Sequence, residues 1–129
     1  MREILFRGKD IAGNWHYGVP LVFTEDYVCI TAPHTYNKAV EANTVGQYTG
    51  LTDKNGTKIF EGDIMRYSYT PNKTGSVVKI GEFKCDCGEK MYGVYLENGD
   101  SRFFNDNLFG FEIIGNIHDN PELLGGDNQ

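Results

Sequence analysis

Apolar residues in this chain fall into short runs separated by turn residues, and no long run repeats with the period of about 3.6 residues that marks an amphipathic helix. The clearest run, residues 91–97, alternates strictly, with Tyr92, Val94 and Leu96 on one side. This pattern predicts an all-β protein built from short strands. Strands are predicted at residues 3–7, 15–23, 27–31, 64–70, 76–85, 91–97, 100–105 and 111–115.

Turn signals separate these runs. Asn55-Gly56 and Asn98-Gly99 are strong hairpin signals, because asparagine and glycine both tolerate positive φ. The second of these pairs predicts a two-residue loop that joins residues 91–97 to residues 100–105. Glu61-Gly62-Asp63 predicts a tight turn before the next strand.

Two predicted strands contain an irregularity, and one further segment has weak helical character. Pro20 indicates an edge position or a bend in the second strand. The apolar phase changes within residues 76–85, and a β-bulge at Gly81 would restore it. Residues 37–43 are the best helical candidate, although their apolar face consists only of two alanines and a valine.

Few large apolar residues occur just before Val45, and this stretch predicts a boundary between two regions of the chain. We expect an N-terminal β segment at residues 1–45 and a second region at residues 46–129. Between Glu61 and Gly115 the spacing predicts five strands joined by tight turns, which suits a small closed barrel of the SH3 type. A short helical turn is predicted near the end of the chain, after Asn120-Pro121.

Composition and charge narrow the class of function. The chain has 129 residues, of which 40% are apolar and 23% charged, as in a globular domain. Its 12 basic and 18 acidic residues give a net charge of −6, which argues against a nucleic-acid surface spread over the whole molecule. The uncharged stretch at residues 11–24 is too short and too polar to span a bilayer. We therefore expect a cytoplasmic protein without membrane association, whose Cys29, Cys85 and Cys87 are free thiols.

Three segments of the chain resemble the YopX family of phage and prophage proteins. The segments are Met1-Arg2-Glu3-Ile4-Leu5-Phe6-Arg7-Gly8 with Gly13-Asn14-Trp15-His16-Tyr17-Gly18, Val45-Gly46-Gln47-Tyr48-Thr49-Gly50-Leu51-Thr52-Asp53-Lys54-Asn55-Gly56 with Ile59-Phe60-Glu61-Gly62-Asp63-Ile64, and Ile114-Gly115-Asn116-Ile117-His118-Asp119-Asn120-Pro121-Glu122-Leu123-Leu124. The resemblance implies a mainly β protein with an SH3-like barrel in its C-terminal part, from a phage or prophage in a bacterium. It implies no activity, because the family has no agreed catalytic residues.

The candidate binding residues lie in the second and third of these segments. They are Tyr48, Asp53, Asn55, Asp63 and Asn116. Asp53 and Asp63, together with Glu61, also allow the alternative of a metal-dependent hydrolase, since such enzymes use carboxylate clusters. Acidic residues beside glycine are also ordinary turn residues, and no histidine or lysine accompanies these three at a recognisable spacing, so we favour the turn role.

Cys85-X-Cys87 is the strongest metal signal in the sequence. Structural zinc usually needs four ligands, in pairs that are separated by about two to four residues. Here one residue intervenes and the second pair is missing. We therefore expect no metal, no cofactor and two free thiols at a turn.

These observations favour a non-enzymatic interaction module whose partner is another protein, including a second copy of itself. The N-terminal segment carries more apolar surface than the flank of a small barrel can bury, so we expect a homo-oligomer in which this segment forms part of the contact. The residues concerned are Ile4, Leu5, Phe6, Trp15, Tyr17, Leu21, Val22, Phe23, Tyr27, Val28 and Ile30. The alternative is a nucleic-acid-binding barrel that uses exposed aromatic side chains, which the net charge makes less favoured.

Overall fold

Ten strands make up most of the regular structure in a computed structural model that describes residues 4–31, 37–67, 75–84, 88–97 and 111–124. The predicted all-β class is confirmed. The strands are β1 (Phe6–Lys9), β2 (Trp15–Phe23), β3 (Tyr27–Thr31), β4 (Lys38–Glu41), β5 (Gly46–Thr52), β6 (Lys58–Phe60), β7 (Asp63–Tyr67), β8 (Ser76–Lys84), β9 (Lys90–Glu97) and β10 (Phe111–Asn116), and two 3₁₀ turns cover Ala42–Thr44 and Pro121–Leu124. Within the described ranges, no helix has the length and apolar character that a membrane span requires.

The chain divides into two compact units, residues 1–48 and residues 49–129, and the division falls within β5. In the first unit the strands lie side by side in the order β4-β3-β2-β1, followed by the start of β5, and each pairing is antiparallel. The core of this unit consists of Val28, Ile30 and Val40, each at most 3% exposed. Gly8 of β1 lies directly against this core, and a Cβ atom there would overlap the side chain of Val40.

The best helical candidate, residues 37–43, is not an α-helix. Residues 38–41 form β4, which pairs with β3 over four residues, and only the three residues that follow form a 3₁₀ turn. Burial of Val40 decides the outcome, because a β-branched residue on a strand packs well against the neighbouring strand.

Strand β2 has two different partners along its length. Its first half pairs with β1, from Trp15 opposite Lys9 to Gly18 opposite Phe6. Its second half pairs with β3, and the register shifts between Pro20 and Val22. The bend predicted from Pro20 is therefore present as a β-bulge.

In the second unit, the end of β5 and strand β6 form a hairpin, and a separate antiparallel sheet has the order β10-β7-β8-β9. The core consists of Ile59, Met65, Val78 and Leu96, all at most 5% exposed. These residues come from β6, β7, β8 and β9, so each element contributes one of them.

The described strands of this unit do not close into a barrel, which corrects the prediction of a closed SH3-type barrel. The order β10-β7-β8-β9 leaves β10 and β9 as the two ends of an open sheet. Among the described residues, β7 pairs with β8 at Ser76 and Val77 alone, whereas β9 follows β8 from Val77 to Lys84. The far part of the β8–β9 hairpin is thus a two-stranded ribbon in the described residues, and a ribbon of this kind closes no barrel.

The predicted bulge at Gly81 is also wrong. Gly81 lies opposite Gly93 in a continuous register. The change of apolar phase has another cause: Val77 and Val78 are both buried, so both faces of β8 are covered at that end. The predicted hairpin at Asn98-Gly99 lies outside the described residues.

Candidate functional site

Asp53 lies in the hairpin loop between β5 and β6, where it is 6% exposed. Its backbone carbonyl accepts the Gly56 N–H at 3.0 Å, and its own N–H donates to the Thr57 carbonyl at 2.9 Å. Gly56 has a φ of +84°. These two bonds close a three-residue loop, so the hairpin predicted from Asn55-Gly56 is present, with a glycine of positive φ as the last residue of the loop.

The Asp53 side chain joins this loop to strand β10. Oδ1 accepts the N–H groups of Asn55 and Thr57, both at 2.9 Å, and Oδ2 accepts the N–H of Ile113 at 3.1 Å. Beside it, the Lys54 N–H donates to the carbonyl of Phe111 at 3.2 Å. A carboxylate that accepts three backbone N–H groups is held in place by the fold, and these contacts account for the residue type at this position.

Asp63 closes the next turn. Its Oδ2 accepts the Phe60 N–H at 2.8 Å, and the side chain is 2% exposed. Gly62, with a φ of +93°, donates its N–H to Val78 and accepts the N–H of Ile117. The tight turn predicted at Glu61-Gly62-Asp63 is therefore present between β6 and β7. Through the backbone of Gly62 it is hydrogen-bonded to β8 and to the segment after β10.

Asn116 organises that segment. Its Oδ1 accepts the N–H groups of His118 and Asp119, at 3.0 and 2.9 Å. Its backbone N–H donates to Oδ1 of Asn120 at 3.3 Å, and its carbonyl accepts the Asn120 N–H at 2.8 Å. Such local side-chain contacts are typical of asparagine in turns.

The remaining two candidates differ in exposure. Tyr48 is 7% exposed, and its N–H donates to the carbonyl of Leu5 at 2.8 Å. Asn55 is exposed on the hairpin loop.

In the part of the chain that the structure describes, no group of three or more His, Cys, Asp or Glu side chains is arranged to hold a metal ion, so Asp53, Glu61 and Asp63 do not form such a group. Cys85 and Cys87 lie outside the described residues, and Cys29 is a free cysteine.

One hydrogen-bonded pair of polar side chains carries no sequence signal. In the loop between β1 and β2, Oδ2 of Asp10 lies 2.7 Å from Nε2 of His16, and Oδ1 accepts the N–H groups of Ala12 and Asn14. The hydrogen bond to His16, followed by that from Asn14, lowers the pKa of Asp10 from 3.8 to about 2. The six-residue spacing gives no motif, because a loop that reverses the chain brings the two side chains together.

The feature that points to binding is apolar and lies on β2 and β3. Its members are all uncharged and between 41% and 66% exposed, and three of them are aromatic. We call these residues the β2–β3 surface: Tyr17, Val19, Leu21, Val22, Phe23 and Tyr27. Their exposed parts add up to on the order of 500 Å², near the upper end of the ~300–600 Å² that the largest apolar patch on a monomer covers.

The sequence signal for this surface is the absence of charge from residue 11 to residue 24. Five of its six members stand in the predicted set of N-terminal contact residues, and Val19 does not. The structure separates that set into buried and exposed members: Val28 and Ile30 belong to the core, whereas Leu21, Val22 and Phe23 are more than half exposed.

This chain is similar to known proteins both in sequence and in structure. The family model described as YopX protein matches residues 7–125. A crystal structure described as that of protein EF1440 from Enterococcus faecalis is similar, with a TM-score of 0.63 and 26% sequence identity over 96% of this chain and 99% of that chain. The search of curated proteins found no match.

Proposed function

Because the chain belongs to the YopX family, and the polar residues of its matching segments have structural contacts, we propose that it is a non-enzymatic interaction module that self-associates through the β2–β3 surface. The observation that carries this proposal is the exposure of that surface. Val22, Phe23 and Leu21 are 58%, 66% and 56% exposed in the single chain. Burial of apolar area at roughly 25 cal/mol per Å² provides the driving force for covering it.

The size of the surface is consistent with a pair of chains. Phe23 lies opposite Val28 and thus on the other side of the sheet, so two copies in face-to-face contact would each bury on the order of 450 Å², a little under about 1,000 Å² in total, which is the size of a weak interface. The absence of charge from residues 11–24 also matters in a chain with a net charge of −6, since two such chains repel least where their surfaces are neutral.

We further propose that the module is a phage or prophage accessory protein acting in the bacterial cytoplasm, as the family resemblance implies. We also propose that the sheet formed by β10, β7, β8 and β9 is related to SH3-like folds. The open order β10-β7-β8-β9 supports the all-β class on which that relationship depends.

Sedimentation velocity over a concentration series tests self-association. We expect a species heavier than the 14.5 kDa chain, and we expect Val22→Lys to shift it towards the monomer, because the lysine would be buried without a partner at the contact. Ile11→Lys is the matched control, since Ile11 is 80% exposed in the same unit but lies outside the β2–β3 surface. A wild-type mass of 14.5 kDa up to tens of micromolar would contradict the proposal.

A further inference from the structure

Two parts of the β2–β3 surface could receive a second copy: the edge of β2 beyond Gly18, and the outer face of the sheet. Strand β1 pairs with β2 only as far as Gly18. From Val19 to Phe23, the described pairing of β2 is with β3 alone. An open strand edge is a general template for pairing with another chain, so the two modes must be separated.

The edge of β2 is a poor template. Pro20 has no N–H to donate, and the bulge between Pro20 and Val22 interrupts the regular spacing of backbone groups. Proline and bulges on an exposed edge are two of the devices by which proteins prevent edge-to-edge pairing. A second copy that added a strand here would find a short and interrupted ladder.

The outer face of β2 and β3 is continuous by contrast. Val19 lies opposite Thr31 and Val22 lies opposite Cys29, so all four share one face. Tyr27 is on the same face, because it precedes Cys29 by two positions on β3. The bulge is what places Val19 and Val22, three positions apart, on the same side. We call the set of Tyr17, Val19, Val22, Tyr27 and Cys29 the outer face.

The opposite side of the same strands faces the core at Val28 and Ile30, whereas Phe23, which lies opposite Val28 near the turn, is exposed on that side. Val28 and Ile30 alternate with the residues of the outer face and are buried against Val40. At the β1 end, the outer face meets a packed and charged region, where the guanidinium of Arg7 lies 4.7 Å from the ring centre of Trp15. The apolar part of the face therefore begins at Tyr17 and extends towards the β2–β3 turn.

We infer that a second copy of this chain packs its outer face against this one, sheet on sheet, about a two-fold axis close to Val22 and Cys29. This inference rests on the proposed function and adds the geometry of the contact. Stacked sheets lie about 10 Å apart, with side chains interdigitated between them. A two-fold axis makes the same patch serve both copies. The five residues of the outer face are uncharged, and Glu41, which lies opposite Tyr27 on β4, marks the border at which the apolar contact ends.

Cys29 provides a native probe of this geometry. In the variant Cys85→Ser/Cys87→Ser it is the sole cysteine of the chain. We expect a short bismaleimide linker to join two copies through Cys29 in high yield, at concentrations where sedimentation shows the dimer. Adding Val22→Lys should remove both the dimer and the cross-link, whereas adding Ile11→Lys should leave both.

Hydrogen exchange at Phe23 separates the two modes independently. The Thr24 N–H donates to the carbonyl of Tyr27 at 2.8 Å, so the neighbouring N–H of Phe23 points away from β3 towards the edge. Edge pairing would slow exchange of this amide at concentrations where the dimer forms. Face packing leaves it as fast as in the monomer, which is the result we expect.

The outcomes distinguish this inference from the proposed function. A chain that is monomeric at all concentrations overturns both. A dimer that Cys29 does not cross-link, and in which the Phe23 amide becomes protected, keeps self-association and overturns the face-to-face geometry. A dimer that is insensitive to Val22→Lys shows that another surface forms the contact and overturns both statements about β2 and β3.

Discussion

Asp53 and Ile113 are 60 positions apart in the chain, and Oδ2 of Asp53 accepts the backbone N–H of Ile113 at 3.1 Å. The bond joins the second of the segments that resemble the family to the residue just before the third. The same carboxylate orders its own hairpin loop through the N–H groups of Asn55 and Thr57. A residue that first suggests binding or catalysis therefore has a structural role that requires an acidic side chain at this position.

We expect Asp53→Ala to lower the free energy of unfolding by about 2–4 kcal/mol, because three backbone N–H groups lose a charged acceptor and one of them lies far away in sequence. Urea denaturation measures the change. Asn55→Ala is the matched control: its side chain is exposed, and its N–H can still donate to Asp53, so we expect a change within about 0.5 kcal/mol. Equal effects of the two substitutions would contradict the role of the carboxylate.

The local turns could be predicted from the sequence because their chemistry is local. Asn55-Gly56 marks a hairpin, and Gly62 marks a tight turn, since each needs a glycine with positive φ. The same reasoning could not show that Asp53 reaches Ile113, because no pattern relates two residues so distant in the chain. The turns that contain Asp53, Asn55 and Gly62 could thus be predicted from the sequence, while the contacts that explain Asp53 required the structure.

The failures have the opposite cause, since tertiary packing overrode a local signal. Val40 lies in a segment with weak helical character, yet its burial against β3 makes the segment a strand. In β8, the burial of both Val77 and Val78 looked like a break in alternation, although the strand continues in register through Gly81. Sequence periodicity assumes one buried face, and it misleads where both faces are covered.

A second prediction concerns the close approach of Gly8 to Val40. We expect Gly8→Ala to destabilise the protein by about 1–3 kcal/mol, because the new Cβ would overlap the Val40 side chain in a well-packed core. Adding Val40→Ala removes the Cγ2 atom, which lies nearest to the new Cβ, so the double variant should lose less stability than the sum of the two single variants.

The control for this experiment is Gly93→Ala. Gly93 is also on a strand, but a Cβ there meets nothing within 4 Å. We expect little change in its urea midpoint. Strict additivity of Gly8→Ala and Val40→Ala would show that the predicted overlap is not the source of the destabilisation.

Thr49 carries a third prediction. Its hydroxyl donates to the carbonyl of Ile59 at 2.9 Å and accepts the Leu51 N–H at 3.2 Å, and the side chain is 1% exposed. Thr49→Val keeps the shape and removes the hydroxyl, so we expect a loss of about 1–3 kcal/mol from the unsatisfied groups. Thr49→Ser keeps the hydroxyl and should lose less. The reverse order in thermal or urea unfolding would assign the role of Thr49 to its methyl group.

The last prediction concerns pH and the pair of Asp10 and His16. Because the hydrogen bond to His16 is the main cause of the lowered pKa of Asp10, NMR titration of the Asp10 carboxyl should give a value of about 2. A pKa that is lower in the folded state means that ionised Asp10 stabilises the fold above the ordinary value of 3.8, and that this contribution is lost as the pH falls from 3.8 through about 2.

The variant His16→Ala removes that main cause while leaving the N–H groups of Ala12 and Asn14 beside Oδ1. We therefore expect the pKa of Asp10 to rise towards 3.8 without reaching it, since the two backbone donors still favour the ionised form. Asp10→Asn should remove the pH-dependent difference in stability between pH 4 and pH 2 that this residue contributes. An unchanged Asp10 titration in His16→Ala would contradict the pairing as the cause and leave the turn geometry of Asp10 with Asn14 as the explanation.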